Sequence, residues 1–466
     1  MISCVRSGST RWMTEQNYKK QICMHRANRT ESFLLYHTDK VEQTGAYSME
    51  RFMRHFRRCM SIGLICILFV LQGCRAGSRI DPSAKEIAKQ SAAAGFLASL
   101  VEKNFGFIGS NEKTEQAYLY DNAITLYALS EAGAVWHAEK LADAIVYAQE
   151  HDRTFHDGRL RNVYLCGDPS VDSGRSAARE TVPLPGFWRN GKWQEDYYAV
   201  STSTGNMAWT ILALCKAAEI ASEEKSAAYV AAAARAADFL LELAAEENGF
   251  TAGYEGWDEV QTKVKYQSTE HNIALTAAFT VLADAIEGND PQKAETYRDA
   301  AGSAYAFVRS MYDPDLHCFY TGTEEDGTTV NQGVIPLDAT ALSVLAFGDE
   351  AGSAKDMLGF VKTSMAVGPG FDFSAGDLDG IWNEGTAQMA LCYLGQGMQD
   401  EYNATMGYLK TQEYTDGGIP AADRDGVSTG FVLSGTEELW EYDNELSIGA
   451  TGWYALAQLQ VNPLVH

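Results

Sequence analysis

Basic residues are scarce in this sequence. Its 466 residues include 37 Lys and Arg against 62 Asp and Glu, a formal net charge of −25 at pH 7. A chain this acidic repels phosphate backbones and anionic membrane surfaces, so binding to nucleic acid is not expected. An anionic polymer would need a local basic patch, and the sequence shows none. The charge balance therefore favours neutral partners.

Motifs for metals and nucleotides are also missing. The nine cysteines form no CxxC pair and no Cys/His cluster with metal-ligand spacing, which argues against structural zinc. No Gly-rich phosphate loop precedes a predicted strand. Two acidic segments, which begin at Asp313 and Gly376, do not match the full calcium-loop pattern and are interpreted as surface turns. We therefore expect neither a metal nor another cofactor.

Residues 53–74 have the layout of a secretory signal. A basic start is followed by an apolar core, residues 61–71, and then by Leu71, Gln72, Gly73 and Cys74. The core is too short for a membrane-spanning helix, which needs about 20 residues. The last four residues resemble the bacterial lipobox. This resemblance implies cleavage before Cys74, a lipid on its thiol, and anchorage to the bacterial cell envelope, at the outer membrane or the cell surface.

The segment before Cys74 is basic, whereas the rest of the chain is strongly acidic. Residues 1–52 show no periodicity and are interpreted as a spurious or disordered extension, with the true start at Met49 or Met53. Residues 1–73 hold 11 basic and 5 acidic residues, so 26 basic and 57 acidic residues remain, a formal charge of −31. Of the later cysteines, Cys215 and Cys392 lie in apolar helical runs and are predicted to be buried thiols.

From about Asp81 onward, two kinds of helical segment alternate. Six are amphipathic, with apolar residues near the helical period and a polar face for water. Six are apolar almost all round and rich in small residues, so protein must enclose them. The amphipathic segments begin near Ser83, His137, Glu223, Asp290, Ser353 and Asp400, and the apolar segments begin near Tyr120, Thr204, Ser268, Pro336, Asn383 and Asn444.

This alternation predicts an all-α repeat of six helical hairpins. A closed ring of these hairpins, an (α/α)6 toroid over residues 81–466, places the apolar helices inside and the amphipathic helices outside. The helix order resembles that of the six-hairpin glycosidases, and "STEHN" from Ser268 and "WNEGTAQ" from Trp382 look similar to sequences of that family. The resemblance covers about residues 81–463 and implies glycan processing. We expect a single catalytic domain and a monomer.

The inner helices of such a ring run in the same direction, so their first turns meet at one rim. Carboxylates, amides and rings at that rim suit a neutral glycan, because hydroxyls meet polar groups and apolar sugar faces stack on aromatics. The predicted substrate-binding residues are Tyr120, Asn122, Asn206, Trp209, Tyr266, His271, Asn272, Asp338, Asp372, Trp382, Trp440 and Tyr442.

Two carboxylates at the rim are the predicted acid and base of glycoside cleavage. Asp and Asn at helix starts also serve as N-caps, an alternative that fits Asp338 and Asn206. Glu384 is a poor N-cap, and the neighbouring ring of Trp382 would raise its pKa by desolvation, so we assign it as the acid. Glu270 is assigned as the base because Ser268 or Thr269 can cap that helix. Asp121 fits either role.

The longest predicted insertion, residues 153–203, is interpreted as an ordered lid. Loops of this length are usually functional or disordered, and its aromatic residues favour order. The rim where the first turns of the inner helices meet is predicted to surround a cup for the substrate. Trp188 and Trp193 are therefore predicted to form one wall of this cup and to bind substrate.

The sequence favours an extracytoplasmic glycoside hydrolase acting on a neutral glycan. A sugar epimerase or a polysaccharide lyase of the same architecture is an alternative, but an epimerase would need two facing histidines and only His271 lies at the predicted rim. A second alternative is a lipid-anchored glycan-binding protein that has lost its catalytic acids. A terpenoid-cyclase-like toroid fits poorly, because its cavity would be apolar with an Asp-rich motif.

Overall fold

The computed structural model describes residues 82–171, 181–432 and 438–465. The predicted extension 1–52 and the signal 53–74 with Cys74 lie outside the described residues. None of the helices within these three ranges is both long and apolar enough to span a membrane.

Fourteen α-helices lie in the described residues. They are α1 Ala84–Ile87, α2 Ala92–Asn104, α3 Leu119–Glu131, α4 Val135–Glu150, α5 Tyr197–Val200, α6 Thr204–Ile220, α7 Glu223–Leu241, α8 Thr269–Ile286, α9 Pro291–Ser310, α10 Leu337–Phe347, α11 Ala354–Ser364, α12 Asn383–Gly395, α13 Gln399–Gln412 and α14 Ile448–Leu459.

Short antiparallel strands lie in the connections between these helices. They are β1 Gln116–Tyr118, β2 Val163–Leu165, β3 Gly186–Arg189, β4 Lys192–Glu195, β5 Thr202–Ser203, β6 Gly253–Glu255, β7 Thr262–Lys263, β8 Tyr312–Asp313, β9 Cys318–Phe319, β10 Gly322–Thr323, β11 Val330–Asn331, β12 Ala366–Val367, β13 Gly370–Phe371, β14 Val427–Val432 and β15 Leu439–Tyr442. Except for the three-stranded set β5–β6–β7, the strands pair in twos.

Six helices form a closed inner ring. α3 packs on α6, α6 on α8, α8 on α10, α10 on α12, α12 on α14, and α14 returns to α3. Most of their residues are buried, as their all-round apolar sequences predict, and Cys215 and Cys392 are among the buried thiols. The all-α (α/α)6 toroid predicted from the sequence is confirmed.

The outer helices pair with the inner ones in hairpins, and the first outer helix closes the ring. α4, α7, α9, α11 and α13 each pack on the inner helix before them, whereas α2 packs on the last inner helix, α14. At this closure the Gln458 side chain accepts hydrogen bonds from the Ser91 hydroxyl, at 2.6 Å, and from the backbone N–H of Ala93, at 3.2 Å.

The first amphipathic segment differs from its prediction as one helix. It divides into α1 and α2, and the side chain of Ser91 caps α2 by accepting a hydrogen bond from the N–H of Ala94. A Cβ at Gly95 would lie 2.4 Å from the Cβ of Ala88, so glycine permits α2 to pack tightly against the end of α1.

The fourth residue of every inner helix ties that helix to the loop before it. In each case its side chain accepts a hydrogen bond from a buried loop N–H, at 2.9 to 3.2 Å. The pairs are Asn122 with Ile108, Met207 with Leu160, Asn272 with Phe250, Thr340 with Phe319, Thr386 with Phe371, and Thr451 with Ile419. Because buried backbone donors need partners, this repeated bond fixes each loop on the ring.

Candidate active site

The repeated bond at the fourth residue places the six helix starts in equivalent positions. The residue two places earlier, the second of each helix, is Glu270 in α8, Asp338 in α10 and Glu384 in α12. It is Tyr120 in α3, whereas α6 and α14 have Gly205 and Gly449 there. Three neighbouring inner helices therefore bring acids to one rim, as the sequence predicts.

Glu384 accepts a hydrogen bond from another helix of the ring. The Tyr120 hydroxyl donates to its Oε1 at 2.7 Å, and the Tyr120 oxygen accepts from the Trp453 indole N–H at 2.8 Å. Burial raises the pKa of Glu384 to about 8, with added repulsion from Asp121 and Asp338, although the hydrogen bond from Tyr120 opposes the shift. Glu384 is therefore mostly protonated at neutral pH, as a general acid must be.

Glu270 has a different donor. The indole N–H of Trp209 donates to its Oε1 at 3.1 Å, and the Nε2 atom of His271 lies 3.5 Å from its Oε2. Burial raises the pKa of Glu270 to about 7, while the bond from Trp209 lowers it. Burial also lowers the pKa of His271 to about 4, so this imidazole is neutral and a weak base.

Asp121 and Glu384 share the space above Gly449. A Cβ at this glycine would lie 2.9 Å from Oδ1 of Asp121 and 2.9 Å from Oε2 of Glu384, so these two oxygens are at most twice that distance apart. Burial raises the pKa of Asp121 to about 7. Gly205 likewise leaves space for a side chain of the rim, because a Cβ at Gly205 would lie 2.3 Å from Cδ2 of His271.

Asp338 stands between the two principal acids, since α10 lies between α8 and α12. Burial raises its pKa to about 7, and the charge of Glu270 adds to the shift. Its Oδ1 also accepts a hydrogen bond at 2.7 Å from the N–H of Ala339, so the capping role considered for this residue is partly present. The cup thus contains four carboxyl groups with raised pKa values.

A run of aromatic rings approaches Glu384 from β15. The ring centroids of Trp440 and Tyr442 are 5.6 Å apart, and Tyr442 stacks on Trp382 at 5.8 Å. Burial, followed by the charges of Glu384 and Asp338, raises the pKa of Tyr442 well above its usual range. Trp440 is 45% exposed, whereas Trp382 is only 3% exposed, so Trp440 offers a surface to a ligand and Trp382 mainly supports the site.

Three predicted substrate contacts are corrected by the structure. Asn122 and Asn272 are fully buried, and their amides bond to backbone groups of the loop and of the helix start. Asp372 is also buried, and its oxygens accept from the N–H groups of Phe373 and Asp379. These side chains hold loops in place. The two amides offer no free polar atom to a sugar, whereas a carboxylate oxygen of Asp372 lies within 4.8 Å of oxygens of Asp377 and Asp379.

The remaining predicted ligand contacts lie near the rim or in the insertion. Asn206, the third residue of α6, donates to the Asn162 side chain at 3.0 Å. Tyr266 is half-buried, and burial raises its pKa. Trp188 and Trp193 face each other across β3 and β4, with ring centroids 5.5 Å apart, and Trp188 is 58% exposed. Their place relative to the cup stays a prediction.

Ion pairs fix part of the insertion to a neighbouring loop. The buried Arg161 donates to both oxygens of Asp152, at 2.6 and 2.9 Å, and also to Asp258. Arg153 links Asp258 to Glu195 at the end of β4. Although burial opposes it, the bonds from Arg161 and Arg153 hold the pKa of Asp258 well below its usual range. These bonds join the described part of the insertion to the loop that contains Asp258.

Two residues near the acids were not among the predicted site residues. Trp453 is fully buried in an apolar helix. In such a helix the sequence does not distinguish an aromatic residue of the site from one that packs in the core. The useful signal is its place as sixth residue of α14, which matches Trp209 in α6. Tyr198 lies at the end of the insertion. Although the residue is 49% exposed, desolvation of its hydroxyl and the charges of Asp121 and Glu270 raise its pKa to about 12, while a hydrogen bond with Asn206 lowers it.

Comparisons with known proteins identify the fold. No protein-family model matches the chain, and no curated protein is significantly similar in sequence. Among solved structures, a glycosidase in complex with glucose has a TM-score of 0.53 and 13% identity, over 80% of this chain and 98% of that chain. A sugar epimerase from a ruminal bacterium has a TM-score of 0.54 and 12% identity, over 80% and 98%.

A third similar structure is the cellobiose 2-epimerase from Spirochaeta thermophila. Its TM-score is 0.53 at 13% identity, over 81% of this chain and 95% of that chain. At these identities the similarity concerns the fold alone. The described part of the chain therefore has the six-hairpin, glycosidase-like (α/α)6 fold that these glycosidases and sugar epimerases share.

Proposed function

We propose that this protein is an extracytoplasmic glycoside hydrolase that cleaves a neutral glycan. The observation that carries the proposal is the convergence of Glu270 and Glu384 from equivalent positions of two inner helices, each with its own hydrogen-bond donor. The glucose complex of a glycosidase with the same fold supports a sugar as the ligand. The surrounding rings, such as exposed Trp440, suit the apolar face of a sugar.

In this proposal, Glu384 and Glu270 divide the proton transfers. The protonated Glu384 gives its proton to the glycosidic oxygen, and the bond from that oxygen to the anomeric carbon breaks with its electron pair on the oxygen. Water bonds to the anomeric carbon and loses a proton to the Glu270 carboxylate. The products are a hemiacetal and an alcohol. Glu384 ends ionised and Glu270 ends protonated, so one proton exchanged through solvent restores both groups.

This assignment implies inversion at the anomeric carbon. The helices of Glu270 and Glu384 are separated by α10, which brings Asp338 between them. Side chains from non-adjacent helices favour the wider separation, about 6.5–9.5 Å, that leaves room for a water molecule in inverting enzymes. Asp121 shares the space over Gly449 with Glu384, and its charge helps to keep Glu384 protonated.

A sugar epimerase is the second candidate, because two structures of similar fold are epimerases and His271 adjoins Glu270. An epimerase removes a proton from carbon and returns it to the other face, which needs a competent base. The lowered pKa of His271, about 4, makes its imidazole a poor base. The raised pKa values of the rim acids suit proton transfer to a glycosidic oxygen. They therefore favour a hydrolase over a lyase or a purely glycan-binding protein.

The test compares Glu270→Gln and Glu384→Gln with Glu246→Gln, a change outside the ring, on a panel of neutral glycans. General acid–base contributions predict a loss of turnover of about 10²- to 10⁴-fold in each rim variant and none in the control. NMR of the first product should show the inverted anomer. Near-normal turnover in either rim variant would remove that residue from the mechanism, and epimerised sugar without hydrolysis would establish the second candidate.

The proposed location is the bacterial cell envelope, with the protein anchored through a lipid on Cys74. The support is the signal-like segment that ends in Leu71, Gln72, Gly73 and Cys74. Metabolic labelling with a fatty-acid analogue should mark the wild-type protein and leave Cys74→Ser unlabelled. Equal labelling of both would refute the anchor.

A further inference from the structure

Two tryptophans occupy matching positions on either side of Tyr120. Trp209 is the sixth residue of α6 and Trp453 the sixth residue of α14, and both helices pack on α3. Each indole lies one helical turn below a glycine, Gly205 or Gly449, and residues four apart share one helix face. Both indoles are buried, so the N–H is the polar group each brings to the site.

The two indoles reach the two acids by different routes. Trp209 donates directly to Oε1 of Glu270, whereas Trp453 donates to the Tyr120 oxygen, and Tyr120 in turn donates to Oε1 of Glu384. The rings also pack edge to face, with centroids 5.9 Å apart for Tyr120 and Trp209, and 5.5 Å apart for Trp209 and Trp453. This packing fixes the direction of all three donors.

The difference in route is a difference in chemistry. An indole N–H only donates, so Trp209 favours the state of Glu270 in which the carboxylate accepts. A phenol hydroxyl donates or accepts. With one lone pair taken by Trp453, the Tyr120 oxygen still has its proton for an ionised Glu384 and a second lone pair for a protonated one. The direct contact suits a base that starts ionised, and the relay suits an acid that loses and regains a proton.

Other titratable groups also face the two acids, and of these groups only Tyr120 is changed in the donor variants. Around Glu384 they are Tyr120, Asp121, Glu270, Asp338 and Tyr442. Around Glu270 they are His271, Asp338, Tyr120 and Tyr198.

We propose that Trp209 and the Trp453–Tyr120 pair are positioning residues that distinguish the two acids: the direct indole donor orients Glu270 as the proton acceptor, and the hydroxyl relay orients Glu384 as the proton donor. This inference rests on the proposed function for its catalytic meaning. The hydrogen-bond routes themselves are measurable without a substrate.

The experiment follows the titration of the two acids by NMR of protein labelled with ¹³C at the glutamate carboxyl carbons. Signals are assigned with Glu270→Gln and Glu384→Gln. Trp209→Phe removes the N–H and keeps a ring, and should raise the midpoint of Glu270 by about one pH unit, with a much smaller, opposite change at Glu384 through the coupling of the two charges. Tyr120→Phe should raise the midpoint of Glu384 by a similar amount, with a much smaller, opposite change at Glu270.

Trp453→Phe tests the relay separately. Because it acts through Tyr120, it should raise the Glu384 midpoint less than Tyr120→Phe does, and the double variant should match Tyr120→Phe alone. Tyr229→Phe is the matched control, since its hydroxyl also donates to a carboxylate, Asp143, at 2.7 Å but between outer helices. That control should move neither midpoint. Thermal melting confirms that each variant is folded before its titration is compared.

Two results would overturn the inference: Trp209→Phe and Tyr120→Phe shifting both acids together, or neither shifting its own acid in a folded protein. For a hydrolase, the acidic limb of the kcat/KM profile should follow the Glu270 midpoint and the alkaline limb the Glu384 midpoint. Separate shifts in NMR, without hydrolysis of any glycan by the wild type, would uphold the two routes and reject the proposed function.

Discussion

The two halves of the inner ring differ at the same helix positions. In α8, α10 and α12 the second residue is an acid: Glu270, Asp338 or Glu384. In the other half, α14, α3 and α6, the second residues are Gly449, Tyr120 and Gly205, and the two glycine-bearing helices have a tryptophan as sixth residue. At the second position, one half supplies carboxyl groups and the other supplies space and hydrogen-bond donors for them. Asp121, the third residue of α3, is the one carboxyl group of the cup that comes from the donor half.

The fourth residue does not follow this division. In both halves its side chain accepts a hydrogen bond from a buried loop N–H, whether it is Asn, Thr or Met. In every inner helix the fourth residue therefore has the same function, whereas the second residue, two positions earlier, differs between the two halves. Positions required for folding are equivalent in all six repeats, and positions at the cup differ because a reaction needs unlike groups.

The largest effect we expect in the donor half comes from Gly449→Ala. A methyl group there would lie 2.9 Å from oxygens of both Asp121 and Glu384, so both carboxyl groups must move. Misplacing catalytic groups by about 1 Å can cost on the order of 100-fold in rate, so we expect kcat to fall by that factor. The melting temperature should change little, because the atoms displaced are the ends of flexible side chains.

Gly407→Ala is the matched control for this prediction. It lies in the outer helix α13, and a Cβ there would meet nothing within 4 Å. The control should keep full activity. If Gly449→Ala also kept full activity, the glycines would have no part in shaping the cup. The donor half would then contribute only hydrogen-bond donors to the acids.

The ring itself was predictable from the sequence, and much of its rim was as well. Helix burial follows from periodicity, so the alternation of amphipathic and apolar segments indicated which helices are inside. Glu270 was recognisable because Ser268 or Thr269 can cap its helix, and Glu384 because Glu is a poor N-cap and follows the ring of Trp382. The roles of Asn122 and Asn272 were not predictable, because an amide at a helix start faces either the cup or the preceding loop, and only the folded loop brings its N–H within reach.

The donors to the acids were hidden for a related reason. Trp453 lies 333 residues from Tyr120 in sequence, and nothing local pairs an indole with a phenol at that separation. In the sequence, Trp453 is typical of a core aromatic in an apolar helix, whereas Tyr120 was predicted to contact substrate and not to donate to an acid. Alignment of the six inner helices by their first residues would have shown that α6 and α14 share a tryptophan at the sixth position and a glycine at the second.

The fourth-position residues should affect stability more than catalysis. Asn272→Ala leaves the buried N–H and C=O of Phe250 without partners, and an unsatisfied buried group costs about 1–3 kcal/mol. We expect the free energy of unfolding in urea to fall by about that amount, with kcat of the folded protein unchanged. Asn122→Ala should behave alike, since its amide makes equivalent bonds to Ile108. A loss of kcat at unchanged stability would show that Asn272 contacts substrate.

The smallest effect we expect is in the pH dependence of stability. Its sign should differ between Glu384, in the acid half of the ring, and Asp258, in the loop that forms ion pairs with the insertion. The folded pKa of Glu384, about 8, lies above its ordinary value of 4.5. Its contribution is therefore fully present below about pH 4.5 and is lost as the pH rises through 8, because the folded state holds the proton more tightly. Asp258 has the opposite sign: its depressed pKa gives a contribution that is present above its ordinary pKa and is lost in acid.

Melting temperatures measured from pH 4 to pH 9 should reveal the contribution of Glu384, since that of Asp258 is lost only below this range. The difference in melting temperature between Glu384→Gln and the wild type should become more positive from pH 4.5 to pH 8, since the variant has no proton to lose at that position. Glu246→Gln, at an exposed position in the loop between α7 and α8, should run parallel to the wild type over the whole range. The expected change is a few degrees or less, because the carboxyl group is only partly enclosed. A Glu384→Gln curve parallel to the wild type would mean that this acid titrates normally and that burial at the rim does not prepare it for proton donation.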